Sequence, residues 1–135
     1  MRATLTGVVN QDASRPPGTR PLAQAGPQEI RLPRGGTLTV DLSVLTADGG
    51  PQDLTGWTTI LQVKRFANDD PADIAKTATV VGLGLARFAV VPADTRRLEP
   101  GRYVYDVWTT DPAANRYQVV PVGVLVLLPT VTLPP

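Results

Sequence analysis

From Thr37 to Val44 the chain alternates without a break. Thr37, Thr39, Asp41 and Ser43 interleave with Leu38, Val40, Leu42 and Val44. Successive side chains of an extended chain point to opposite sides, so this pattern predicts a strand with an apolar inner face and a polar outer one. Antiparallel sheets covered on one side read this way. Related patterns recur downstream. Trp57, Thr59, Leu61 and Val63 are expected inward, with Thr58, Gln62 and Lys64 outward and Ile60 as an apolar exception on the outer face. Ala86, Phe88 and Val90 point inward between Arg87 and Ala89. Tyr103, Tyr105 and Val107 point inward, and Val104, Asp106 and Trp108 outward. The predicted structural core is therefore built on Trp57, Leu61, Val63, Phe88, Tyr103, Tyr105 and Val107.

The 14 prolines and 12 glycines fall between the apolar runs, as turns do in an all-β chain. Arg34-Gly35-Gly36, Ala47 to Pro51 and Pro100-Gly101 are predicted turns. Ile74 to Val81 reads as one short, weakly alternating strand, broken by Gly82 and Gly84. Pro92 to Thr95 reads as a short helical turn with Asp94 as its cap. No stretch keeps a sustained 3.6-residue period, so long helices are not expected. About seven strands in roughly 100 residues predict an antiparallel β-sandwich of immunoglobulin-like architecture, with a small closed barrel as the rival. Residues 1–27 differ from this pattern. They contain Pro16, Pro17, Pro21 and Pro27 and few large apolar side chains, too few to offset the entropy of ordering. They are expected to form an extended N-terminal arm, and residues 28–135 the sandwich domain. Thr4 to Val9 could add a strand to a partner through Leu5 and Val8, or form a loose terminus.

The chain has no cysteine and no histidine. It therefore lacks thiolates, disulfides, the commonest general base and the commonest metal ligand. No catalytic residue, cofactor or metal site is expected. The acidic loop Asn68, Asp69, Asp70 and Asp73 lacks the glycine and spacing of a calcium loop and is read as a solvated turn. A net charge of +1 with scattered arginines gives no reason to expect nucleic-acid binding. Met1 to Asn10 lacks the apolar core of a signal peptide. Val119 to Leu128 is too short for a membrane helix and is broken by Pro121. A protein made in the cytoplasm without a signal peptide or membrane segment is expected.

Three segments, in order, resemble an immunoglobulin-like domain of tailed-bacteriophage virion proteins. They are Asp53-Leu54-Thr55-Gly56, Val91-Pro92-Ala93-Asp94-Thr95, and Leu98 to Val107 (LEPGRYVYDV). The family's domain occurs at the N-terminus of upper baseplate proteins and in related tail and fibre subunits. The resemblance covers about residues 29–130. It implies a scaffold rather than catalysis, with Tyr103 as a corner tyrosine whose hydroxyl bonds nearby backbone. Tyr105 stands where antibody domains carry a cysteine, so packing alone must hold the sheets together.

The last strand is apolar on both faces. Val122, Val124, Val126 and Leu128 share one, and Gly123, Leu125 and Leu127 the other. Covering one against the core leaves the other needing a cover, which marks the first set as a subunit contact at a sheet edge, or a surface for the chain's own arm. Trp108, outward beside Asp106, is a further interface candidate, a platform for a sugar, or a residue packed under a loop. The expected function is a non-catalytic virion subunit in a tail, baseplate, fibre or capsid-decorating position. It would act through contacts with other virion proteins and as a homo-oligomer, a trimer among the candidate forms. The alternative is a carbohydrate-binding module for a cell-surface glycan.

Overall fold

The computed structural model describes residues 1–9, 29–68 and 71–131. In chain order, the described residues form β1 (Arg2–Val8), β2 (Ile30–Pro33), β3 (Leu38–Leu45), β4 (Thr58–Lys64), β5 (Ile74–Thr77), β6 (Thr79–Gly82), β7 (Leu85–Val90), α1 (Pro92–Thr95), β8 (Gly101–Thr110) and β9 (Arg116–Leu128). The strands make two sheets. One has the order β1-β3-β7-β6 and the other β2-β9-β8-β4-β5. The all-β sandwich read from alternation is the observed architecture.

The core lies between the sheets. Leu38, Val40, Leu42 and Val44 of β3, with Ala86, Phe88 and Val90 of β7, share one buried cluster with Leu61, Val63, Tyr103, Tyr105, Val107, Leu125 and Leu127 of the other sheet. Each fully buried large side chain contributes roughly 1.5–3 kcal/mol before entropy. Burial pushes the Tyr105 phenol up to about 12, so it stays neutral at ordinary pH. Thr59 and Thr109 are buried too, and their hydroxyls bond each other at 2.9 Å. Trp57 departs from the expected core. It is half-buried and stacks on Tyr117, with ring centroids 5.9 Å apart, against the margin of the cluster.

Two expectations about topology are corrected. There are nine strands among the described residues rather than about seven, and the sheets are mixed, not antiparallel. β1 runs parallel to β3, and β2 runs parallel to β9. Alternation reports which way side chains face and is silent on strand direction. The expected arm also changes character: β1, inside the segment assigned to it, is a strand of this same sandwich. The rest of that segment, residues 10–27, lies outside the described residues.

The expected strand over Ile74 to Val81 divides at Ala78, whose N–H bonds to the Thr59 carbonyl at 2.8 Å. Before Ala78, β5 pairs with β4; after it, β6 pairs with β7. One stretch of chain thus joins the two sheets at one side of the sandwich. At the opposite edge, β1 passes against β9. A Cβ at Gly7 would lie 2.7 Å from the Val119 carbonyl oxygen, so only glycine permits this approach.

Two local features position the outward surface. The β8–β9 register slips between Tyr105↔Gly123, Val107↔Val120 and Trp108↔Gln118. The extra residues of β9 put Val119 and Val120 both in the interior and let Pro121 sit at a bulge inside a paired strand. Below β8, the Tyr103 hydroxyl donates to the Glu99 carbonyl at 2.8 Å, the corner expected from the resemblance. The helical turn is observed, but Asp94 is not its N-cap. Val91 holds that position, and Asp94 accepts the Val91 N–H at 2.8 Å from the third helical residue.

Candidate functional site

The outward face of the five-stranded sheet carries most of the residues singled out by sequence. Cross-strand pairing sets them in rows, since paired residues share a face. Ile60, Trp108 and Gln118 make one row; Lys64, Val104 and Val124 make another; Arg102 and Arg31 flank Val126 in a third. Ile60 is on the outer face, as expected, and half-buried beside Trp108.

Trp108 is held rather than free. Its Nε1–H donates to Asp106 Oδ2 at 2.9 Å, and the Gln118 side-chain amide donates to the same oxygen at 3.1 Å. The Arg116 guanidinium lies 4.7 Å over the indole ring, a cation–π contact. Beside it is a shallow depression of about 230 Å³, lined in part by Gln62, Lys64, Asp106, Trp108, Arg116 and Val122.

Val122 is 54% exposed, and Val124, Val126 and Leu128 are half-buried. These residues form the outward stripe read from sequence, while Leu125 and Leu127 are buried on the core side. The expected sheet edge is corrected. β9 lies between β2 and β8, so over its last residues its backbone is paired on both sides. Over that stretch only its side chains are available to a partner.

Leu5 and Val8, expected at an interface, are 3% and 1% exposed and belong to this chain's own interior. The reason is the parallel pairing with β3, which sets Leu5 beside Leu42 and Val8 beside Leu45. β1 also lies in the other sheet and so does not cover the Val122 stripe. Of the acidic loop, Asp69 and Asp70 lie outside the described residues. Asp73 closes the turn by accepting the Arg65 N–H at 2.8 Å.

One surface was missed by the sequence reading. The β6–β7 hairpin exposes Val80, Val81, Leu83 and Leu85, at the edge of the four-stranded sheet. Gly84 makes its turn possible, with φ of +67° and a Cβ position 2.9 Å from the Val44 carbonyl oxygen. The available signal was the run from Thr77 to Ala86, which carries several large apolar residues and no charge.

The opposite outer surface, on the four-stranded sheet, is built differently. Thr4, Thr6, Thr39 and Ser43 line it, and Asp41 sits between Arg2 and Arg87 and pairs with both. The hydrogen bond from Arg87, and then the charges of Arg2 and Arg87, hold the Asp41 carboxyl below its ordinary value against some opposing desolvation.

No family model matches the chain, and no curated protein matches it in sequence. Among solved structures, the N-terminal domain of phage TP901-1 ORF48 is similar, with a TM-score of 0.56. The match covers 93% of this chain and 97% of that one at 7% sequence identity. At that identity the likeness is one of fold.

Proposed function

We propose that this protein is a non-catalytic structural subunit of a bacteriophage virion, acting through protein–protein contacts in a tail or baseplate position. The observation that carries this reading is the shared fold with a domain of a phage protein over nearly the whole length of both chains. The outward apolar stripe on β9 supports it, because an apolar sheet face is a contact surface waiting for a cover. The absence of His and Cys from the sequence suits a role that needs no titratable chemistry. Self-association would use the β6–β7 hairpin. With no charge between Lys76 and Arg87, a second copy of that edge meets no like charge there.

The glycan alternative draws less from the geometry. A sugar stacks on an open aromatic face, whereas Arg116 already lies over the Trp108 ring and Asp106 takes its N–H. Mass spectrometry of purified particles tests the structural reading. The chain is expected among the particle proteins in fixed ratio to a tail component; its absence from particles would overturn the assignment. Light scattering of the free protein, with and without Leu83→Glu, tests the self-contact. The native chain is expected as an oligomer and the variant as a monomer.

A further inference from the structure

The cations of the two outer faces differ in their company. Arg2 and Arg87 on the four-stranded sheet share Asp41. On the five-stranded sheet, Arg31, Lys64, Arg102 and Arg116 form no ion pair among the described residues. Arg31 and Arg102 flank Val126 in one row, and Lys64 stands in the row of Val104 and Val124. The strands of this face carry one carboxylate, Asp106, and it is engaged by Trp108 and Gln118. Just outside these strands lie Glu29 before β2, Asp73 before β5 and Asp111 after β8; Asp73 accepts the Arg65 N–H, and Asp111 accepts the N–H groups of Ala113 and Asn115. The result is an apolar stripe with Val122 at its most exposed point, bordered by cations that form no ion pair among the described residues.

From this arrangement we infer that the outward face of the five-stranded sheet docks an acidic protein partner. Apolar side chains of the partner cover Val122, Val124 and Val126, and its carboxylates meet Lys64, Arg31 and Arg102. Charge complementarity selects this occupant. A second copy placed across a two-fold axis would set these same cations against each other, which is unfavourable. The chain's own N-terminal strand is committed to β3. A nucleic acid or an anionic membrane would satisfy the cations, but a phosphate-tracking surface does not require a valine stripe at its centre. The inference deepens the assembly reading, on which it rests for its biological setting, by naming the chemistry of the partner.

The test uses the full chain, isotopically labelled for NMR, and two synthetic peptides. One alternates leucine and glutamate; the other alternates leucine and lysine. The acidic peptide is expected to shift the amides around Val104, Val122, Val124 and Val126, and the basic peptide to leave them in place. Raising salt from about 50 to 500 mM should weaken the acidic complex several-fold, because surface charges are then screened. The double variant Lys64→Glu with Arg102→Glu, both outward and outside the core, should keep its amide spectrum dispersed and lose at least about tenfold in affinity, the equivalent of 1.4 kcal/mol. Equal binding of both peptides, no binding of either, or shifts confined to the β6–β7 hairpin would overturn the inference. So would concentration-dependent shifts of this face without peptide, which would identify a second copy. Tighter binding of phosphatidylglycerol vesicles than of the acidic peptide at the same residues would replace the protein partner by a membrane. None of these outcomes bears on whether the chain is found in particles, so the two readings fail separately.

Discussion

The two outer faces of this sandwich are made from the same strand chemistry and end differently. On the four-stranded sheet, β3 contributes Thr39, Asp41 and Ser43 outward, and the one carboxylate is shared by two arginines from its neighbours. The charges of that face are paired, and the exposed large apolar residues of its strands lie at the β6–β7 end, where Leu85 stands beside Ser43. On the five-stranded sheet, β9 contributes Val122, Val124, Val126 and Leu128 outward, and among the described residues the cations around them form no ion pair. The contrast shows that a sandwich can satisfy its core and still leave one outer face unfinished. Folding requires the inward rows; it places little demand on what the outward rows carry. An outward row that is apolar and edged by one sign of charge therefore reports contact with something else.

Substitutions test this comparison at different depths. The largest effect is expected at the layer that both faces share. Phe88→Ala removes a fully buried ring and should cost about 3–5 kcal/mol in denaturant unfolding. Reporters on both faces should melt together; separate melting would mean that the two sheets are not one cooperative unit. Gly7→Ala acts on one side only. Its new Cβ would meet the Val119 carbonyl, and strain of about 1–3 kcal/mol is expected. Amide exchange should rise in β1 and less in β8. Next comes Tyr103→Phe, which deletes the bond to Glu99 and should lower stability by about 1 kcal/mol.

A smaller effect, with a distinctive pH dependence, is expected for Asp41→Asn. The folded Asp41 carboxyl titrates below the ordinary value of 3.8, so its contribution is present above that value. The contribution is lost as pH falls through the lower folded value. The native chain should therefore exceed the variant in stability at neutral pH, and the gap should close below about pH 3.8. The same substitution leaves Arg2 and Arg87 without their acid and makes the charge-paired face resemble the other one. The smallest effect is expected at Val122→Thr. Because Val122 is already 54% exposed, unfolding should change by no more than about 0.5 kcal/mol. A large loss there would mean that the stripe is a folding element and not a contact surface.

Much of this fold was legible because alternation is a local property. The inward placement of Leu38, Val40, Leu42, Val44, Leu61, Val63, Phe88, Tyr103, Tyr105 and Val107 follows from residue order and matches the observed burial. The outward placement of Trp108 and of the Val122 stripe follows in the same way. Parallel pairing did not follow, since a strand's side-chain pattern is the same whichever way its neighbour runs. Leu5 and Val8 were misplaced for that reason: their apolar character was visible, but their partner, β3, lies more than thirty positions away in sequence. The β6–β7 hairpin escaped because alternation weakens where the chain crosses from one sheet to the other at Ala78.

By itself, then, the order of residues determined most of the strands and which way their side chains face, because both depend on the direction of side chains along an extended backbone. Tertiary structure alone decided which strands became neighbours, that β9 is paired on both sides, and which charges found partners. Those outcomes depend on distances between residues far apart in the chain, and nothing in the spacing of neighbours along the sequence encodes them.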